Sequence, residues 1–363
     1  MQQPNLTQPF SCTYSPNIPE LLTKLNCSLA ISTYQAGKLI FISPKNEEHL
    51  VQLPRTFNKP MGIALDNERG KLGLACKDSI ELFQNSKDLA EFYPRAPKKY
   101  DALFMPRVSY NSGGIDIHDL SFGKNEQIFG VNTLFSCIVK IDNQYNFTPY
   151  WKPSFISKLV SEDRCHLNGM AMENGLPKYA TSFNQGDAQQ SWRGNITKTG
   201  TVINVTTNEV LNDSLAMPHS PIIINKKLYI LLSATGQLVE VDTVSGKQTE
   251  IINLGGFVRG MAHFKDYLFI GLSKLRKNSS TFAKLDIAEK ANFSGISVVH
   301  LPTGSFCGQI KYHTSVDEIY DIEVIPNMLR PNIINSKMPE SKLGISIPNQ
   351  TFWAKLEADE KSE

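Results

Sequence analysis

One feature restricts this chain more than any other: a short opening motif recurs six times, at intervals of about 40–60 residues. The openings are Pro60-Met61-Gly62-Ile63-Ala64, Ile117-His118-Asp119-Leu120, Leu167-Asn168-Gly169-Met170-Ala171, His219-Ser220-Pro221-Ile222-Ile223, Arg259-Gly260-Met261-Ala262 and Glu318-Ile319-Tyr320-Asp321-Ile322. Each of the first five is answered by a second apolar run: KLGLAC from Lys71, QIFGVN from Gln127, KYATSF from Lys178, KLYILLS from Lys227 and DYLFIGLS from Asp266. The runs are β-branched or aromatic, of strand length, and punctuated by Gly, Asn, Asp and Pro. Third runs such as 237–247 and 296–304 end in hairpin turns. A repeating unit of this length built from short strands is a propeller blade.

The fold expected is therefore all-β, a single β-propeller of six blades, with seven as the other count the spacing allows. The opening at Glu318 has too little chain after it to finish a blade. The N-terminal runs 31–43 and 49–54 supply the missing strands and close the ring, which removes open sheet edges. Residues 1–27 read as an N-terminal extension, 28–330 as the propeller, and 331–363 as a strap and solvated tail. Helix signals are confined to 19–25 and to 153–160, where Ile156, Leu159 and Val160 follow Pro153 at helical spacing.

In a propeller the first strand of every blade lines the central channel, so the openings converge in space. Three of the seven histidines, His118, His166 and His219, fall in consecutive openings, 48 and 53 residues apart. Neutral imidazoles are common transition-metal ligands, so one Zn, Fe, Mn, Cu or Ni ion is the cofactor this pattern suggests. Glu318 is then a further ligand or a general base, and Arg259 an anchor for an anionic substrate. The competing reading keeps the histidines as hydrogen-bonded structural groups, because they stand one (His118), two (His219) and three (His166) residues before the equivalent positions Asp119, Pro221 and Gly169. Asn168, Asn132, Asn184 and Arg276 are candidate ligand-binding groups around the channel mouth. Asp163 and Arg164 read as an ion pair tightening the loop before His166, and Cys165 as packing. Two functions stay open: a metal-dependent enzyme acting on a small polar or peptide substrate, and a non-catalytic ligand- or protein-binding propeller.

Composition narrows the partners. Thirty-seven Lys and Arg balance 35 Asp and Glu, leaving +2, which favours neither a polyanion nor a membrane surface. Basic residues do not alternate with aromatics as in nucleic-acid grooves. No apolar run approaches the ~20 residues of a membrane span. The first 20 residues lack the basic and apolar regions of a secretory signal. Six cysteines without a C-x-x-C pair then read as reduced thiols of a cytoplasmic protein. The partner expected is a small molecule or peptide in the central channel, with no nucleic acid and no membrane; the oligomeric state is left open. There is no Walker loop, no G-x-G-x-x-G, no H-E-x-x-H and no G-x-S-x-G.

The motifs STYQAGKL (from Ser32), DIHDLSFG (from Asp116), EDRCHLNGMA (from Glu162), MPHSP (from Met217), TGQLVEVD (from Thr235), VRGMAHF (from Val258) and EIYDIEVIP (from Glu318) resemble those of a family of uncharacterised bacterial proteins. The likeness runs over about residues 28–330 and implies a propeller-like domain and a bacterial origin, with no activity attached. The chain departs from the family pattern at Ala234, where a glycine is usual. A more distant resemblance is to six-bladed lactonase and strictosidine-synthase-like propellers, whose channel ligands are carboxylate and Asn rather than His.

Overall fold

A computed structural model describes residues 8–275, 282 and 285–355. Six sheets follow one another around an axis, each built on four antiparallel strands ordered from the channel outward. Blade 1 opens with Ile63–Asp66, blade 2 with Ile117–Phe122 and blade 3 with Gly169–Glu173. Blade 4 opens with Pro218–Ile224, blade 5 with Phe257–Phe264 and blade 6 with Asp321–Pro326. Every opening strand packs against that of the next blade, and the sixth packs on the first. The chain is a six-bladed β-propeller.

Closure follows the expected route. Asp321–Pro326 pairs with Cys27–Thr33, in register from Ser32 opposite Asp321 to Cys27 opposite Pro326, and Lys38–Pro44 and Leu50–Thr56 complete blade 6. Both termini extend the ring further. Cys12–Tyr14 adds a fifth strand to blade 5, and Pro331–Ile333 runs parallel to Ala102–Asn111 at the rim of blade 1. The helix Asn17–Leu25 sets Ile18, Leu22 and Leu25 into the apolar seam between blades 5 and 6. Asn26, in the left-handed conformation that asparagine tolerates, ends it.

No helix forms at 153–160. Ile156 is fully buried with Val131 and Cys165, while Leu159 packs in a different cluster beside Ile117 and Leu120. Two seams claim side chains that one helix face would have kept together, so the segment stays a loop. Among the described residues no helix is long and apolar enough to cross a membrane.

The channel wall alternates in sequence. Blades 1, 3 and 5 place Gly62, Gly169 and Gly260 where blades 2, 4 and 6 place Asp119, Ser220-Pro221 and Asp321. The glycines permit contact: a Cβ at Gly62 would lie 2.9 Å from Asp119 Cα, and one at Gly169 would lie 2.5 Å from Pro221 Cδ. The other three seams are hydrogen-bonded. Asp119 accepts the Met170 amide at 2.8 Å, Ser220 the Gly260 amide at 3.0 Å, and Asp321 the Ile63 amide at 2.8 Å. Close packing and side-chain stitches thus take turns around the ring. This is what holds the opening residues at fixed positions about the axis.

Candidate functional site

Two cavities lie on the axis. A cup of about 430 Å³ is walled by His166, Phe183, Phe257 and Glu318, and a chamber of about 230 Å³ beneath it by His118, Asn168, Tyr320 and three carboxylates, Asp119, Asp321 and Glu323. His219 and Arg259 line both and form the waist between them.

Each histidine is held through Nδ1. His166 Nδ1 lies 3.1 and 3.0 Å from the two Asp163 oxygens. The Trp192 indole N–H donates to the same carboxylate at 2.9 Å. His118 Nδ1 reaches the Asp116 carbonyl at 3.3 Å. His219 Nδ1 lies 2.6 Å from Ser233 Oγ and 3.2 Å from the Met217 carbonyl. Ser233 gives its own proton to the Val258 carbonyl, so its oxygen must accept from His219. Carbonyls and carboxylates only accept, which puts the ring hydrogen on Nδ1 in all three cases. In His118 and His219, which burial holds neutral, Nε2 is left as a lone pair without a partner among the described residues.

Burial keeps two of these rings neutral. Desolvation pulls His118 down to about 4, with the Asp116 carboxylate opposing it. His219 is driven well below its ordinary value, first by desolvation and then by the Arg259 charge. The chamber carboxylates shift the other way. Desolvation raises Asp119 to about 6, and desolvation with repulsion from Asp119 raises Asp321 to about 8. Glu323 is also raised well above its ordinary value, chiefly by desolvation.

The three histidines do not meet at one point. His118 and His166 touch edge to face with centroids 5.0 Å apart. His219 is reached only through Phe183, which lies 4.5 Å from His166 and 5.2 Å from His219. Among the described residues no group of three His, Cys, Asp or Glu side chains is arranged to hold a metal ion.

A family model described as Domain of unknown function (DUF4915) matches residues 16–334, from the N-terminal helix through all six blades. The chain belongs to this family. No curated protein matches the DUF4915 chain. Among solved structures it is similar to a nidogen/laminin complex chain, at 10% identity and a TM-score of 0.53, covering 83% of this chain and 99% of that one. It is similar too to a protein of unknown function from Bacteroides caccae, at 9% identity and a TM-score of 0.52, covering 82% of this chain and 98% of the other. At such identities the likeness is one of fold.

The other expected site residues of the DUF4915 chain are dispersed. Glu318 is buried in the cup wall, and its Oε2 accepts the Gln35 amide at 3.0 Å. Asn168 lines the chamber, its Oδ1 taking the Thr181 hydroxyl at 2.7 Å. Asn132 is fully buried and receives the Phe135 amide, and Asn184 donates to Ser191; neither lines the cup or chamber. Arg276 lies outside the described residues.

The expected Asp163–Arg164 pair is absent: Arg164 turns away to Glu162 at 2.8 Å and Asp187 at 2.5 Å, leaving Asp163 to His166 and Trp192. Cys165 is buried packing, its thiol pushed up to about 12 by desolvation. Asp119, Asp321 and Tyr320 are the channel groups that the sequence reading passed over. For the two aspartates the signal was the alternation of Gly with Asp or Ser-Pro at the openings.

Proposed function

We propose that this protein binds a small organic anion at the centre of its ring, anchored by the Arg259 guanidinium. One observation carries the reading. Arg259 stacks on the Tyr320 ring, its guanidinium carbon 3.5 Å from the centroid, yet makes no hydrogen bond or ion pair with any described residue. The guanidinium is half-buried, and the Asp321 carboxylate on which its field acts is itself pushed up to about 8 by desolvation, so a ligand carboxylate or phosphate can complete it with two parallel hydrogen bonds. His118 and His219, the imidazoles on which its field acts, stay neutral, so Arg259 supplies the charge at the waist. The cup is of small-molecule size, within the ~300–1,000 Å³ of ligand pockets.

The test is thermal denaturation with acetate, glutarate, phenylacetate, 3-phenylpropionate, L-phenylalanine and inorganic phosphate, using the wild type and Arg259→Met. Binding to the folded state alone raises the melting temperature. At least one of these anions should do so for the wild type and fail to do so for the variant. Equal stabilisation of both proteins would refute the anchor. Metal content of protein purified without a polyhistidine tag is measured alongside. A stoichiometric transition metal that disappears in a His118→Ala/His166→Ala/His219→Ala variant would replace the anion reading with a metal centre.

A further inference from the structure

The walls around Arg259 say more about the anion than its charge. Rings alternate along the cup in the order His166, Phe183, His219, Phe257, with neighbouring centroids 4.5, 5.2 and 6.3 Å apart. The phenyl groups, with Met217 and Leu275, make an apolar wall. The imidazoles break it: both commit the Nδ1 hydrogen, His166 to Asp163 and His219 to Ser233, and the neutral His219 ring keeps Nε2 as a lone pair. His219 also stands beside the guanidinium, both lining the waist.

Such a cup asks for three things in one molecule. Arg259 asks for an anion. The His219 lone pair next to it asks for an N–H or O–H donor beside that anion, because a bound ligand covers that nitrogen from water and an acceptor then left unmatched forfeits its solvation. The phenyl wall asks for an apolar, preferably aromatic, body.

Building on the anion reading, we infer that the ligand is an aromatic acid with a donor next to its carboxylate, an α-amino or α-hydroxy acid. The carboxylate sits on Arg259, the α-substituent donates to His219 Nε2, and the aromatic ring lies against Phe183 and Phe257.

Calorimetry on the full chain tests this with L-phenylalanine, L-3-phenyllactate, 3-phenylpropionate, phenethylamine, L-alanine and L-lactate. Phenylalanine or phenyllactate should bind at least tenfold more tightly than 3-phenylpropionate, and more tightly than its own methyl counterpart, alanine or lactate. Whichever of the two wins identifies the donor as ammonium or hydroxyl. In His219→Leu the gap to 3-phenylpropionate should shrink while 3-phenylpropionate itself still binds. If that variant does not fold, the wild-type comparison decides alone. Equal binding of 3-phenylpropionate and both substituted acids overturns the donor while leaving the anion anchor standing. Equal binding of phenylalanine and alanine, and of phenyllactate and lactate, overturns the aromatic body. Phenethylamine binding as tightly as phenylalanine removes both this inference and the anchor beneath it.

Discussion

Gly62→Ala is the sharpest probe of how the site is held, because the added methyl group has nowhere to go. Its carbon would lie 2.9 Å from Asp119 Cα, 2.9 Å from Leu120 N and 3.0 Å from Asp119 C. All three are backbone atoms of the neighbouring blade, and none can rotate aside. Relief requires the blade 1–blade 2 seam to open by several tenths of an ångström, and overpacking of that kind costs about 1–3 kcal/mol. The matched control is Gly114→Ala. Nothing lies within 4 Å of its added carbon and its φ is not positive, so it should be neutral or stabilise by ~0.4–1 kcal/mol through the unfolded chain.

Urea denaturation at equal m-value should therefore separate the two variants by about 1–4 kcal/mol. The displaced residue, Asp119, follows His118 directly, so the chamber wall moves with the seam. Gly62→Ala should weaken binding of whichever organic acid stabilises the wild type, and Gly114→Ala should not. A Gly62→Ala protein within ~0.5 kcal/mol of wild type, the range of ordinary surface changes, would show that the seam is not packed as described.

The chamber carboxylates give a signed pH dependence. Asp119 and Asp321 titrate at about 6 and about 8 against an ordinary 3.8, so their contribution is complete below pH ~4 and is lost as pH rises towards 8. The melting temperature of Asp321→Asn minus that of wild type should accordingly grow between pH 5 and 8.5; a difference that stays flat refutes the shift. Arg259→Met removes a guanidinium with no described counter-charge, so the ligand-free variant should melt no lower than wild type, and a fall of several degrees would make Arg259 a structural clamp instead. Desolvation holds the Cys27, Cys76, Cys137 and Cys165 thiols at about 12. Ellman's reagent at pH 8 should therefore label none of these four until denaturant is added, with peptide mapping as the check.

How much of this was legible in the chain depends on which interaction decides each feature. Blade count and closure could be read because strand spacing and hydrophobic runs are properties of the chain itself, as with the pairing of residues 27–33 and 321–326. The loop before His166 could not. Asp163 and His166 both adopt positive φ, at 46° and 50°, and no spacing rule tells that Asp163 will face His166 while Arg164, its neighbour, faces Asp187. The stitches of Asp119 and Asp321 were hidden for a similar reason, since each partner lies on another blade.

The histidines are the instructive case. They precede their equivalent channel positions by one residue (His118), two (His219) and three (His166), and a strand advances about 3.3 Å per residue. Offsets that look like loose alignment in the sequence are heights along the axis. The structure orders them the same way: His118 in the chamber, His219 at the waist, His166 in the cup. The spacing that brings the three rings to one channel also stops them meeting around one ion. It sets the three rings at successive depths along the channel, and in the anion reading proposed above a ligand lying along the axis would meet them in turn.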